Sequence, residues 1–157
     1  LISKFPDSLQ GYFLKAAASG NIALSAEATE KVKISRDIYK NINQALEINS
    51  DYAPAHVILG AYYHEVARAN SLLKYLANTF LGGIPEGTID DALSHLKKAL
   101  ALEPQNVYAH LEIAKLYKNI GKVDSARFHL EKIQSIPNSN HYHAKLKSDA
   151  KKLLNTL

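Results

Sequence analysis

Seven histidines are the first residues in which to look for chemistry: His56, His64, His95, His110, His129, His141 and His143. His64-Glu65 opens like the helical zinc motif, but Arg68 stands where the second ligand would be. His141 and His143 are too close in sequence to share a helix face, so they make a poor chelate. His56 and His110 each follow a short turn and precede a small residue and a tyrosine. That setting favours a spacer between helices over a metal ligand. The carboxylates are scattered. The one adjacent pair, Asp90-Asp91, follows Thr88 at an expected helix start, where negative charge complements unpaired N–H groups. Gly82-Gly83 lacks the lysine and hydroxyl residue of a phosphate loop, and neither a nucleophile elbow nor a dinucleotide fingerprint occurs. The reading is therefore of a non-enzymatic chain, with no cofactor and no metal site expected.

Composition narrows the class further. The chain has 157 residues, of which 46% are hydrophobic and 22% charged, as in one soluble globular domain. Its net charge of +4 comes without a dense basic block, so no nucleic-acid partner is expected. There is no cysteine, which excludes disulfides and thiolate chemistry. No apolar run approaches the roughly 20 residues of a membrane helix, so no integral membrane segment is expected in this chain. The first residue is Leu1, and an N-terminal segment is expected to be missing. Bacterial periplasm and cytoplasm both stay open as locations.

The elements that must position any site are helical. Phe5-Pro6-Asp7-Ser8 reads as a helix entry capped by Asp7 or Ser8, and Gly20-Asn21 as its stop. A helix restarts near Ser25 and runs to about Ile48, with Ile34, Ile38, Ile42 and Ala45 on one face. The next opens at Ala53 or Pro54. Either one long helix continues to Gly82-Gly83, or two helices meet near Ala69-Asn70-Ser71. Thr88 and Asp91 form a capping-box variant before a helix over Ile89–Leu102. Helices over Val107–Ile120 and Ser125–Ile136 flank a tight turn at Gly121, which calls for positive φ. A last helix spans His141–Leu154 and caps the stack.

These elements repeat. Turns at Ser50 and Pro104 each lead into a helix bearing His56 or His110, then Gly60 or Ala114, then Tyr63 or Tyr117. The small residue lets two helices approach, and the tyrosine fills the gap to the next pair. With Ala126, Leu130 and Gly121, this resembles the tetratricopeptide repeat family over residues 38 to 137. The resemblance implies an all-α, alpha-alpha superhelix of about three TPR-like hairpins. In this reading residues 1–157 form one domain. It comprises an enlarged first hairpin (1–52), a middle hairpin (53–106) with an insertion at about 68–86, a regular repeat (107–140) and a capping helix (141–157). The long helix after Tyr52, the Leu81-Gly82-Gly83 exit and Thr88-Ile89-Asp90-Asp91-Ala92-Leu93 look like the helical domain of regulator-of-microtubule-dynamics proteins and their bacterial relatives. The enlarged-repeat style is also similar to periplasmic helical partners of substrate-transport systems.

The resemblance implies a protein or peptide interaction scaffold that uses its inner, concave wall. His64, Glu65, Tyr108, Leu111, Lys115 and Asn119 are the candidate partner-binding residues, with Val57 and Ala61 beside them. Some relatives clamp a peptide carboxylate with lysine and asparagine. Val57 and Ala61, then Leu111 and Lys115, stand at those positions here, which argues against such a clamp. The alternative is an accessory protein holding a small apolar ligand beside the insertion, in a pocket of Tyr62, Tyr63, Leu73, Tyr75, Leu76 and Phe80. The insertion either enlarges the core or offers an apolar groove. Full burial of Tyr75 and Phe80 would exclude the groove.

Overall fold

The computed structural model describes residues 8–23, 25–138 and 141–157, apart from the side chains of Leu72, Leu73 and Leu76. Among them are eight α-helices: α1 (Leu9–Ala23), α2 (Ala28–Ile48), α3 (Ala53–Arg68), α4 (Ser71–Phe80), α5 (Ile89–Leu102), α6 (Val107–Asn119), α7 (Val123–Ser135) and α8 (His141–Leu154). The fold is all-α, with helix pairs repeated along the chain.

Apolar spacing sets the pairing. α1 packs on α2, α3 on α5, and α6 on α7. The first helices of successive units, α1, α3, α6 and α8, also touch in turn and form the inner layer. Three cores result. Ile38, Ile42 and Ala45 of α2 meet Leu59, Tyr62 and Val66 of α3. Val57 meets Leu96 and Ile113 in the second core, and Leu111 meets Leu130 and Leu146 in the third. Close approach within the middle pair depends on Gly60. A Cβ there would lie 2.6 Å from Leu96 Cγ.

The interruption of the period is now explicit. α3 stops where Ala69 leaves helical geometry at φ −58° and ψ 134°, so two helices replace the single long one. α4 ends at Gly82 and Gly83, both at positive φ, and the Gly83 N–H returns to the Ala77 carbonyl at 2.8 Å. Gly121 likewise adopts φ 74°, with Lys122 N–H donating to Tyr117 O, the pattern that closes a helix through a left-handed glycine.

Two expectations on boundaries are corrected. Gly20-Asn21 does not end α1, which continues to Ala23. A glycine inside a helix costs only about 1 kcal/mol, and packing against α2 offsets it. α7 begins at Val123 rather than Ser125, because the Gly121 turn closes within two residues. Of the expected entry at Phe5-Pro6-Asp7-Ser8, the first three residues lie outside the described residues. Ser8 caps α1, its Oγ accepting from Gly11 N–H at 3.1 Å.

Thr88 and Asp91 make a full capping box. Asp91 N–H donates to Thr88 Oγ1 at 3.0 Å, and Thr88 N–H donates to Asp91 at 2.9 Å. We expect Thr88→Ala to lower the unfolding free energy by about 1 kcal/mol, read as a lower urea midpoint with unchanged slope.

Candidate functional site: the inner wall

α3, α6 and α8 bring one set of polar and aromatic side chains to the inner layer. Asn119 Nδ2 donates to His64 Nε2 at 2.9 Å, tying α6 to α3. Nε2 therefore accepts, and the His64 proton sits on Nδ1. That atom is buried and has no hydrogen-bond partner. Burial, above all, lowers the His64 pKa; Glu65 opposes it, and Arg68 and Lys115 act with it. Lys115 Nζ lies 2.7 Å from Glu112 Oε1, and Arg68 lies 3.1 Å from Glu65. The Glu112 side chain is buried, whereas Glu65 and Asn119 are exposed.

Beside this strip lies a cleft of about 590 Å³. Val107 and Leu146 are buried side chains in its lining, and Tyr108 and Tyr142 come from successive inner helices. The turn Glu103-Pro104-Gln105-Asn106 closes one end. Burial raises the pKa of both phenols, and the Glu112 carboxylate adds to it. Both tyrosines stay protonated at neutral pH and can donate hydrogen bonds.

The middle and last hairpins each contain a histidine pair. His56 Nδ1 on α3 lies 2.8 Å from His95 Nδ1 on α5, and His56 Nε2 lies 2.9 Å from the Ser50 carbonyl. His110 and His129 reproduce the arrangement at 2.8 Å, with Pro104 O at 3.1 Å. His56 and His110 are core spacers, as expected, but their partners were not anticipated. The signal was present: Ala92-Leu93-Ser94-His95-Leu96 and Ala126-Arg127-Phe128-His129-Leu130 share the pattern Ala-x-x-His-Leu.

With this geometry established, comparison with known proteins gives the family. A family model described as regulator of microtubule dynamics protein 1-3 matches residues 2–157. The chain belongs to this family. Regulator of microtubule dynamics protein 3 of Rattus norvegicus is 24% identical over 153 residues, which is 97% of this chain and 32% of the relative. The Bos taurus protein of the same name is 26% identical over 140 residues, covering 88% of this chain and 30% of the relative. The chain thus spans about a third of the length of the curated relatives it matches. Among solved structures, a thermophilic TPR protein of Thermus thermophilus superposes with a TM-score of 0.65 at 25% identity, covering 97% of this chain and 68% of that one. Family and fold together point to a non-enzymatic helical scaffold. Among the described residues, no group of three or more His, Asp or Glu could hold a metal ion, and no helix is long and apolar enough to cross a membrane.

The regulator-of-microtubule-dynamics fold divides the candidate residues. Tyr108, Lys115, Asn119, His64 and Glu65 share the inner layer, where His64 is buried against Asn119. Leu111 does not belong with them. It is 2% exposed and continues the Val107–Leu111–Ala114 stripe, which packs on α7 and α8. Val57 is equally buried, in the core between α3, α5 and α6. The apolar set also separates. Tyr62 is buried against Tyr39 and Tyr63, and its hydroxyl donates to Pro85 O at 2.9 Å. Tyr63 is half-buried, its pKa raised to about 12 chiefly by burial. Tyr75 and Phe80 are 62% and 71% exposed, so the burial that would exclude a groove is not observed. Leu73 and Leu76 lie outside the described side chains. The small cleft beside the insertion measures about 180 Å³ and is lined by Val66, Lys74, Asn78, Ile84, Glu86, Gly87 and Thr88, none of them in the expected set.

Proposed function

We propose that this domain is an interaction scaffold whose inner wall, made by α3, α6 and α8, receives a protein segment. The observation carrying this reading is the cleft lined by Tyr108 and Tyr142, with Glu112 and Lys115 near enough to act on the Tyr142 phenol. Its apolar floor suits one bulky side chain of the partner. The phenols, Asn106 and Gln105 supply hydrogen bonds at its edge, and apolar centres with polar rims are how protein interfaces are built. The curated relatives are named for regulating microtubule dynamics, and a protein partner fits such a name. The small-ligand alternative has less support. The cleft beside the insertion is smaller than the roughly 300 Å³ at which ligand pockets begin, and charged and amide groups line it.

The test places a photo-crosslinking residue at Tyr142 on the inner layer and, separately, at Phe128, an exposed side chain on α7. Native extract supplies the partner. Crosslinks to a protein from position 142 and not 128, lost with Tyr108→Ala, are expected. Crosslinking from position 128 alone would overturn the reading. So would crosslinking from position 142 that is unaffected by Tyr108→Ala in a chain of unchanged circular dichroism.

A further inference from the structure

The inner cleft holds a negative charge that the fold leaves without a cation. Glu103 is the only carboxylate in its lining, and none of the lining residues is a lysine or arginine. Asn106 fixes that carboxylate, its Nδ2 donating to Glu103 Oε2 at 2.7 Å. The same side chain caps α6, its Oδ1 accepting from Ala109 N–H at 2.9 Å. The residue that starts the helix therefore also sets the acid in place.

The preceding repeat is built differently. Aligning His56 with His110 puts Asn49-Ser50-Asp51-Tyr52 on Glu103-Pro104-Gln105-Asn106. There the acid is Asp51, and Lys98 of α5 neutralises it at 2.8 Å. With His95 aligned on His129, Lys132 of α7 takes the place of Lys98, but Gln105 stands where Asp51 was. The acid of the last turn is Glu103 instead, and among the described residues it forms no ion pair with a lysine or arginine. The middle turn thus closes on its own returning helix, whereas the last turn leaves its carboxylate to the cleft.

The neighbouring charges do not supply the missing cation. Glu112 has Lys115 at 2.7 Å, and Glu65 has Arg68 at 3.1 Å. None of the α8 lysines lines the cleft, and Lys147 donates to the Gln134 carbonyl of α7. Any segment seated here takes water from Glu103. A neutral side chain would leave the carboxylate with the Asn106 amide alone, and an acidic one would repel it, both at a cost. A cation is required, and the phenols select its kind. A guanidinium is planar and weakly hydrated, lies against an aromatic face and meets a carboxylate with a fork of N–H groups, whereas an ammonium holds its water. The methylenes of the same side chain suit the apolar floor of Val107 and Leu146.

We propose that the cleft is an arginine pocket: the partner segment enters it with an arginine whose guanidinium pairs with Glu103 and stacks on Tyr108 or Tyr142. This deepens the scaffold reading and rests on it, naming the residue that the partner must present.

The probe is the blocked tripeptide acetyl-Gly-Arg-Gly-amide, titrated into the 15N-labelled chain at neutral pH. Lysine, citrulline and glutamate in place of arginine are the controls, citrulline keeping the shape of arginine without its charge. Saturable shifts confined to the amides of residues 103–108 and 142–146 are expected, with arginine binding most tightly. Affinity should fall roughly fivefold for citrulline, and as much for arginine in Glu103→Gln, which keeps an acceptor for Asn106. Equal binding of arginine and citrulline, equal or tighter binding of lysine, or an affinity untouched by Glu103→Gln would overturn the proposal. Crosslinking from position 142 separates that failure from failure of the scaffold reading. A partner captured equally with Glu103 and with Glu103→Lys would sink the arginine alone. Loss of all crosslinking from position 142, with the tripeptide still bound, would sink the scaffold reading and keep the pocket.

Discussion

Replacing Gly60 by valine is expected to destabilise the domain by about 3 kcal/mol or more, and Leu96→Ala should relieve part of the loss. Gly60 is buried on α3, where a Cβ would sit 2.6 Å from Leu96 Cγ and 3.1 Å from the Ala92 carbonyl. Overpacking a tight core costs about 1–3 kcal/mol. The backbone contact adds to this, since Ala92 O cannot swing away as a side chain can. Leu96 has no exposed surface, so Leu96→Ala alone should cost about 2–5 kcal/mol through the cavity it leaves. In the double variant the new valine fills part of that cavity. Urea unfolding of the four chains gives the coupling directly. Additive losses would show that the two helices adjust independently, and the close-approach account of Gly60 would fail.

Tyr62→Ala is expected to cost about 3–5 kcal/mol, and Tyr62→Phe only about 1 kcal/mol. The ring lies 5.4 Å from that of Tyr39 and 5.6 Å from that of Tyr63, in the core shared by α1, α2 and α3. Its hydroxyl holds Pro85, in the loop by which the chain leaves the insertion. Alanine removes the ring and frees the loop together, whereas phenylalanine removes the hydrogen bond alone. Exchange at the amides of the 82–87 loop should rise in both variants. If alanine and phenylalanine cost the same, Tyr62 acts through its hydroxyl and the aromatic cluster contributes little.

Much of this was legible in the residues. Small and aromatic positions recurring through Gly60, Tyr63, Ala114, Tyr117 and Ala126 indicate paired helices, because close packing tolerates few alternatives at such contacts. Thr88–Asp91 and Gly121 are local signals, satisfied within a turn, and each appears in the structure as a cap or a left-handed glycine. Gly20 misled because helix continuation there depends on packing against α2, a distant segment. Leu111 misled because inner-wall and core positions lie one helical step apart.

The sequence by itself determined the helical class, the family pattern and the positions of the sharp turns, since these rest on periodicity and on backbone preferences of neighbouring residues. Only the tertiary structure decided which side chains meet. His56 with His95, His110 with His129 and His64 with Asn119 are joined across different helices. Tautomer, burial and the cleft between Tyr108 and Tyr142 likewise arise from packing, because each depends on atoms brought close by the fold rather than by the chain.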